Sequence, residues 1–269
     1  MGSRSNSRPV TVGVLGLGEA GAALASDLSS AGALVRGFDP APRDAEGVEV
    51  VDTAAAAADG ADLVLAVTPA AAAREAAESA APGLTAGQVY ADASTGAPAL
   101  MHELEAVVAP TGAAFADLAL LGTVPGRGVR TPALVSGPGA DAAVSLLAPL
   151  GMPVESLGGE TGAASARKLV RSVFMKGLAA AIGESLAAGR AAGCEEWIAG
   201  EIEDALVAAD ADLFRRLVDG SRAHAVRRVD EMAAARAMLV ELGVEPRVTS
   251  AAEEWLAELA LDSRQVTHG

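Results

Sequence analysis

Reactive and metal-binding side chains are scarce in this sequence of 269 residues. A single cysteine, Cys194, excludes an internal disulfide, and three widely separated histidines predict no metal site. No apolar run approaches the roughly 18 residues that a membrane span needs, and the N-terminal segment lacks the apolar core of a signal peptide. These absences predict a cytoplasmic protein without a metal centre.

Positive charge is also in deficit, because 35 acidic residues face 20 basic ones and the formal net charge is -15. Nucleic acids and anionic membranes are bound by clustered Lys and Arg, so the sequence predicts neither as a partner. Aromatic residues make up only 3% of the chain, whereas apolar residues make up 51%, many of them alanine. We therefore predict a core of closely packed helices and strands.

Seven short apolar runs alternate with alanine-rich helical stretches, from VTVGVL at Val10 to PVESL at Pro153. This repeat predicts an α/β fold, a Rossmann-type doubly wound parallel sheet. After residue 158 the pattern is helical, beginning with a long helix over about 162–192 and broken at four places: Gly193, 210–212, 219–220 and 243–246. We predict three regions: a flexible arm over 1–8, a Rossmann domain over 9–158 and an all-helical domain over 159–269.

A glycine motif follows the first predicted strand and begins a helix. VGVLGLGEAG has the GxGxxG spacing, in which the glycines permit a tight turn, close approach to a pyrophosphate and close packing of helix on strand. The motif predicts cofactor contacts from six residues: Gly16, Leu17, Gly18, Glu19, Ala20 and Gly21. Asp39 ends the second strand about 20 residues on, where a carboxylate binds a ribose diol and favours NAD. Arg43 is placed to meet a 2′-phosphate, so NADP stays open.

Two further segments carry a resemblance to a known family. DASTGAP (92–98) resembles the D-x-S-T-x-x-P segment of the beta-hydroxyacid dehydrogenases, a group that contains the 3-hydroxyisobutyrate and 6-phosphogluconate dehydrogenases. AVTP (66–69) resembles the strand end beside the nicotinamide ribose in that group. The resemblance implies an NAD(P)-dependent oxidoreductase with further cofactor contacts from five residues: Val67, Thr68, Pro69, Ser94 and Thr95.

A third segment, GETGAASARKLVRS, resembles the start of the family's long helix after the Rossmann domain, which carries a catalytic lysine. The resemblance implies Lys168 as the general acid/base, with Ser172 at the position of a family asparagine. A serine at position 172 and the segment RRVDEM (227–232) both resemble the sequences of a subgroup with a phosphogluconate-dehydrogenase-like C-terminal domain. The family's substrate segment corresponds to DLALLGT (117–123), where Leu121 replaces a serine, and it implies substrate contacts from Gly122 and Thr123.

The stretch RKLVRSVFMK (167–176) holds four cations and no acid. At 3.6 residues per turn, Lys168, Ser172 and Lys176 share one helical face, with Arg171 beside them. Like charges at this spacing repel, so an anion should compensate. Either a small anionic substrate bound by Arg171 and Lys176 or an internal ion pair meets this need. A dry cleft among cations disfavours the ammonium of Lys168 and suits it to proton transfer.

The predicted function is hydride transfer to or from a small anionic hydroxy acid or its semialdehyde. Two alternatives stay open. One is imine reduction, since imine reductases share this architecture but place an aspartate or tyrosine at the position of Lys168; the other is dinucleotide binding without turnover. His224 competes as acid or base. Amphipathic segments such as EEWIAGEIEDALVAA (195–209) predict a homodimer through the helical domain.

Overall fold

The computed structural model describes residues 8–41 and 43–266. The arm predicted over residues 1–8 lies outside the described residues except for Arg8. The guanidinium of Arg8 donates to the carboxylate of Asp62 at 2.9 and 2.5 Å. Asp62 also accepts from the Thr11 N–H at 2.8 Å, so it joins Arg8 to the start of the first strand.

One sheet of eight strands contains every strand of the described residues, in the order β3-β2-β1-β4-β5-β6-β7-β8. The strands are β1 (Thr11–Leu15), β2 (Leu34–Phe38), β3 (Glu49–Val50), β4 (Leu63–Ala66), β5 (Val89–Asp92), β6 (Ala114–Leu120), β7 (Ala133–Ser136) and β8 (Val154–Ser156). The predicted Rossmann-type fold is confirmed. Strand β1 lies between β2 and β4, so the order in which successive strands are added to the sheet reverses beside β1. Ligands of Rossmann folds bind at the point where the strand order reverses.

Two details of the sheet differ from the sequence prediction. The edge strand β3 has only two residues, both exposed, which is too short to produce a periodic pattern. Strand β7 is antiparallel to β6, whereas a wholly parallel sheet was predicted. The connection over residues 121–132 contains only one 3-10 turn, Gly128–Arg130, and no α-helix. The crossover between parallel strands is usually an α-helix, and this connection has none, which accords with the reversal of the chain at β7.

Five helices cover the two faces of the sheet: α1 (Glu19–Ser30), α2 (Ala54–Ala58), α3 (Ala70–Ala80), α4 (Pro98–Val108) and α5 (Ala140–Leu147). Successive residues of a strand point to opposite faces, and Val14 and Leu15 of β1 accordingly belong to different hydrophobic clusters. The Val14 cluster includes the buried residues of α1 and α5, and the Leu15 cluster includes those of α2, α3 and α4. This arrangement explains why the strands lack a polar face.

The chain divides into two compact units, the first ending at Arg171 and the second beginning at Ser172. Helix α6 (Ala163–Ala191) contains this division, while the predicted boundary at residue 158 precedes it. The second unit continues with α7 (Glu195–Val207), α8 (Ala211–Ala223), α9 (Ala225–Glu241) and α10 (Arg247–Val266). The carboxylate of Glu184 accepts the Val248 and Thr249 N–H groups, each at 2.8 Å, and so caps the start of α10.

The helix break predicted at residues 219–220 is wrong, because α8 runs through Gly220 and ends before His224. A Cβ on Gly220 would lie 3.2 Å from the guanidinium of Arg228, so this glycine serves side-chain packing rather than a turn. His224 joins α8 to α9 and is exposed. Within the described part of the chain, no helix is both long and apolar enough to cross a membrane.

Candidate functional site

The glycine loop between β1 and α1 has the shape that the motif predicted. Gly16 has a φ of +90°, and a Cβ there would lie 2.6 Å from the Val67 carbonyl oxygen. A Cβ on Gly21 would lie 1.8 Å from the Gly16 carbonyl oxygen, so α1 packs against the loop without room for a side chain. At Gly18, the N-cap of α1, a Cβ would meet nothing within 4 Å. The loop therefore opens at Gly18, beside the first N–H groups of the helix.

The remaining loop residues frame this opening. Leu17 is buried at 2% exposure and belongs to the core cluster, which anchors the loop from below. Glu19 is exposed at the first position of α1, and Ala20 is half-buried. An N-terminal helix end with free N–H groups attracts phosphate oxygens. These residues fit the pyrophosphate of a dinucleotide.

Asp39 holds the loop as well as facing it. Its Oδ2 accepts the Leu17 N–H at 2.8 Å, and its Oδ1 accepts the Ala41 N–H at 2.8 Å. The Nε of Arg43 lies 3.6 Å from Oδ2, and the Arg43 side chain is half exposed. The sequence predicted the position of Asp39 but not its bond to Leu17. Asp39, predicted to select NAD, and Arg43, predicted to bind the 2′-phosphate of NADP, therefore form an ion pair.

A cavity of about 160 Å³ lies beside the glycine loop. Gly16, Phe38, Pro40 and Thr68 are among the residues that line it. Within the described part of the chain, the Thr68 Oγ1 is buried without a hydrogen-bond partner. Val67 and Pro69 flank Thr68 between β4 and α3, and the Val67 N–H donates to the Leu15 carbonyl at 2.7 Å. An apolar cavity with one unsatisfied hydroxyl fits the nucleoside part of a dinucleotide.

Asp92 ends β5 inside the DASTGAP segment and is completely buried. Its Oδ1 accepts the Ser94 N–H at 3.0 Å and the Ser94 hydroxyl at 2.5 Å. The pKa of Asp92 is raised from 3.8 to about 6: burial is the main cause, the Ser94 hydrogen bonds and the Lys168 charge act against it, and the Asp117 charge adds to it. Ser94 is buried and Thr95 is exposed. The motif therefore contains a carboxyl group that changes its charge near pH 6, above the usual range of an aspartate.

Asp117 of β6 fixes the start of α6. Its Oδ1 accepts the Ser165 hydroxyl at 2.6 Å, and its Oδ2 accepts the Ser165 N–H at 3.0 Å. The Ser136 hydroxyl donates to the same Oδ2 at 3.1 Å and accepts the Ala164 N–H at 3.0 Å. Two N–H groups in the first turn of α6 are thus satisfied by buried side chains of the sheet. Sequence reasoning missed Ser136 and Ser165, and it placed Asp117 only in a substrate segment.

Lys168 lies three residues after Ser165 on α6 and is half-buried. Sequence analysis expected cations around it, and the structure adds the carboxyl group of Asp92, on which the Lys168 charge acts. Gly122 and Thr123 follow β6 and are exposed, and a Cβ on Gly122 would lie 3.5 Å from the guanidinium of Arg127. Nothing in the sequence singled out Arg127.

The other predicted substrate residues lie further along α6. Arg171 is exposed at the end of the first unit, whereas Ser172 and Lys176 belong to the second unit. Ser172 is half-buried and Lys176 is exposed. Their roles toward a substrate stay predictions. No group of three or more His, Cys, Asp or Glu side chains in the described residues is arranged to hold a metal ion.

A Rossmann sheet with a glycine loop open at a helix N-terminus defines a dinucleotide-binding domain. The chain belongs to the family of the NAD binding domain of 6-phosphogluconate dehydrogenase, whose sequence model matches residues 11–158. This family comprises NAD(P)-dependent dehydrogenases and reductases. A second model, described as a domain of unknown function (DUF1932), matches residues 190–259. The resemblance to 6-phosphogluconate dehydrogenases, predicted from the sequence motifs, is confirmed.

Solved structures extend this similarity over more than nine tenths of the chain. A conserved hypothetical protein from Sinorhizobium meliloti 1021 is 30% identical, with 93% of this chain and 88% of that chain covered and a TM-score of 0.61. A conserved protein described as structurally similar to 3-hydroxyacid dehydrogenases is 26% identical, with 95% and 98% covered and a TM-score of 0.60. An imine reductase from Myxococcus stipitatus in complex with NADP+ is 21% identical, with 94% and 95% covered and a TM-score of 0.79. Curated protein sequences give no significant match.

Proposed function

We propose that the protein transfers hydride between NAD(P) and a small anionic hydroxy acid or its semialdehyde, with Lys168 as the general acid/base. The observation that carries this proposal is the position of Lys168. It lies one turn after the residues that Asp117 fixes to the sheet, and its charge acts on Asp92 at the carboxyl end of β5. Ligands of Rossmann sheets bind at the carboxyl ends of the strands.

The chain's own residues supply the proton chemistry. Bound NAD(P) supplies or accepts the hydride at its nicotinamide ring. During oxidation of an alcohol, the neutral amine of Lys168 takes the hydroxyl proton, and during reduction the ammonium returns a proton to the carbonyl oxygen. Ser172 orients the substrate oxygen or the lysine. Arg171 holds the carboxylate of the substrate together with Gly122 and Thr123, and a substrate contact from Lys176, in the second unit, stays a prediction from the sequence.

The cofactor is held by the glycine loop, by the segment 67–69 and by Ser94 and Thr95. Asp39 favours NAD, because a carboxylate accepts hydrogen bonds from a ribose diol and repels a 2′-phosphate. The ion pair between Asp39 and Arg43 offers the route to NADP, since a 2′-phosphate would compete with Asp39 for the guanidinium. The similar imine reductase was solved with NADP+, so both cofactors belong in the test.

The proposal predicts that short hydroxy acids will reduce NAD+ faster than uncharged alcohols of the same length. The measurement is the absorbance of the reduced nicotinamide, with NAD+ and NADP+ compared at equal concentrations and each cofactor's affinity titrated separately. Uncharged alcohols are the matched control for the anionic group. Equal rates for both alcohol series would contradict the anionic substrate, and tighter NADP binding would make Arg43, rather than Asp39, the residue that selects the cofactor.

Imine reduction is the second candidate, because the Myxococcus stipitatus imine reductase shares the fold over 94% of this chain. The chemistry at position 168 argues against it, since imine reductases carry an aspartate or tyrosine where this chain has Lys168. Reduction of a cyclic imine by NAD(P)H without any oxidation of hydroxy acids would favour this candidate. Binding of the cofactor without turnover of either the hydroxy acids or the cyclic imine would indicate a dinucleotide-binding protein without catalytic activity.

A homodimer formed through the second unit is the proposed assembly. Large apolar side chains of this unit are exposed, including Trp197 at 63%, Val207 at 88%, Phe214 at 66% and Trp255 at 51%. Exposed large apolar side chains are common at interfaces between protein subunits. We expect light scattering to give twice the chain mass of 26.6 kDa at micromolar concentration. A mass of one chain over that range would contradict the dimer.

The cytoplasmic location and the absence of a nucleic-acid partner stay predictions from composition.

A further inference from the structure

Asp92 is a buried carboxyl group to which the proposed reaction assigns no role. It lies at the last position of β5, directly beside Asp117 in the register of β5 and β6. Both carboxyl groups are completely buried. Two adjacent buried carboxylates repel each other, so a cation or a proton must compensate at least one of them.

The two carboxyl groups have different hydrogen bonds. Both oxygens of Asp117 accept hydrogen bonds, from Ser165 and Ser136, and these bonds hold the first turn of α6. In Asp92 only Oδ1 accepts hydrogen bonds, both from Ser94, and Oδ2 is buried without a partner among the described residues. Asp117 is therefore occupied by the helix, whereas Asp92 keeps one oxygen for an electrostatic partner.

Lys168 is the cation that acts on Asp92. Ser165, which Asp117 holds by two bonds, lies three residues earlier on α6, so the same clamp fixes the backbone that carries Lys168. We propose that Asp92 is a positioning residue for Lys168, whose buried carboxylate holds the ammonium at the carboxyl end of β5 and sets the pH at which it loses its proton. This inference rests on the proposed role of Lys168 in proton transfer.

The sign of the coupling follows from the charges that face Asp92. Lys168 on α6 favours the carboxylate, whereas burial and the charge of Asp117 on β6 disfavour it and raise the pKa of Asp92 to about 6. Tyr90 on β5 is also buried, and burial together with the Asp92 charge raises the pKa of its phenol well above 10.0. Tyr90 therefore stays neutral near neutral pH. Above about pH 6 the Asp92 carboxylate stabilises the Lys168 ammonium, and below it this stabilisation is lost.

The chain offers a direct measurement, because it contains only two lysines, Lys168 and Lys176. Lysine labelled with carbon-13 at Cε gives two side-chain resonances, which a Lys176→Arg variant assigns. In Asp92→Asn, which mimics the neutral carboxyl group, we expect the midpoint of the Lys168 resonance to fall by about one pH unit or more, the scale for loss of an opposite charge nearby. The exposed Lys176 is the internal control, and its midpoint should stay unchanged. An unchanged Lys168 midpoint would overturn the proposal.

A reciprocal measurement protects the test against misfolding of Asp92→Asn. In a Lys168→Met variant the carboxyl carbon of Asp92 should titrate above about pH 6, because the cation that lowered its pKa is gone. Titration at the same pH as in the unmodified protein would refute the coupling. Neither readout uses turnover. If the resonances shift but Lys168→Ala keeps full activity, the proposed function fails and the coupling stands; if turnover is lost without any shift, the reverse holds.

Discussion

Replacing Lys168 with alanine is expected to lower kcat by about a hundredfold or more while leaving the Kd for NAD(P) nearly unchanged. The reason is that the amine moves a proton only in the transition state, whereas the cofactor is held by the glycine loop and by the segment after β4. Steady-state kinetics on the best hydroxy acid gives kcat, and fluorescence titration with reduced cofactor gives Kd. A hundredfold loss corresponds to about 2.7 kcal/mol of transition-state stabilisation.

The matched control is Lys176→Ala, which removes the other lysine of the same helix. If Lys176 only holds the substrate anion, its loss should raise KM more than it lowers kcat, because binding that is equal in ground and transition states appears in KM. Full turnover by Lys168→Ala would refute the acid/base assignment. In that case the cations of α6 would form structural ion pairs, and both variants should melt at lower temperature than the unmodified protein.

Replacing Gly18 with alanine is expected to weaken NAD(P) binding by about tenfold or more without loss of folding. A Cβ at this position meets no protein atom within 4 Å, but it occupies the opening where the backbone approaches a pyrophosphate. A tenfold loss corresponds to about 1.4 kcal/mol of binding free energy. The measurement combines cofactor titration with thermal unfolding in the absence of cofactor.

Gly21→Ala is the contrasting variant, since its Cβ would lie 1.8 Å from the Gly16 carbonyl oxygen. This clash requires the loop or α1 to move, so we expect a lower melting temperature as well as weaker binding. A Gly18→Ala protein that bound NAD(P) as tightly as the unmodified protein would show that the cofactor does not approach this opening.

The parts of the site that depend on local geometry were predictable from the sequence. Gly16 and Gly21 were identified because a turn with positive φ and a close helix contact both require glycine within a few residues of the strand. The bounds of α6 were also predicted closely, as 162–192 against the observed Ala163–Ala191. The glycine-rich segment GGETG before the helix and Gly193 after it mark its two ends in the sequence. Both features depend on short stretches of chain.

The parts that depend on distant contacts were not predictable. The role of Asp117 depends on Ser165, 48 residues later, and nothing in either local pattern indicates that pairing. The direction of β7 depends on the absence of a crossover helix, which apolar alternation within a strand does not reveal. Asp92 was quoted within a motif, but its unusual pKa comes from burial and from charges on two other elements, β6 and α6.

The different exposure of the two lysines has a practical consequence for chemical labelling. Lys176 is exposed on α6, whereas Lys168 is half-buried. Amine-directed reagents, such as succinimidyl esters of a fluorophore or biotin, should therefore modify Lys176 faster than Lys168. A dye attached in this way reports from one known position on α6, and a Lys176→Arg variant leaves Lys168 as the one side-chain amine. The slow reaction of that amine, and its protection by a bound ligand, then measures how often Lys168 meets solvent.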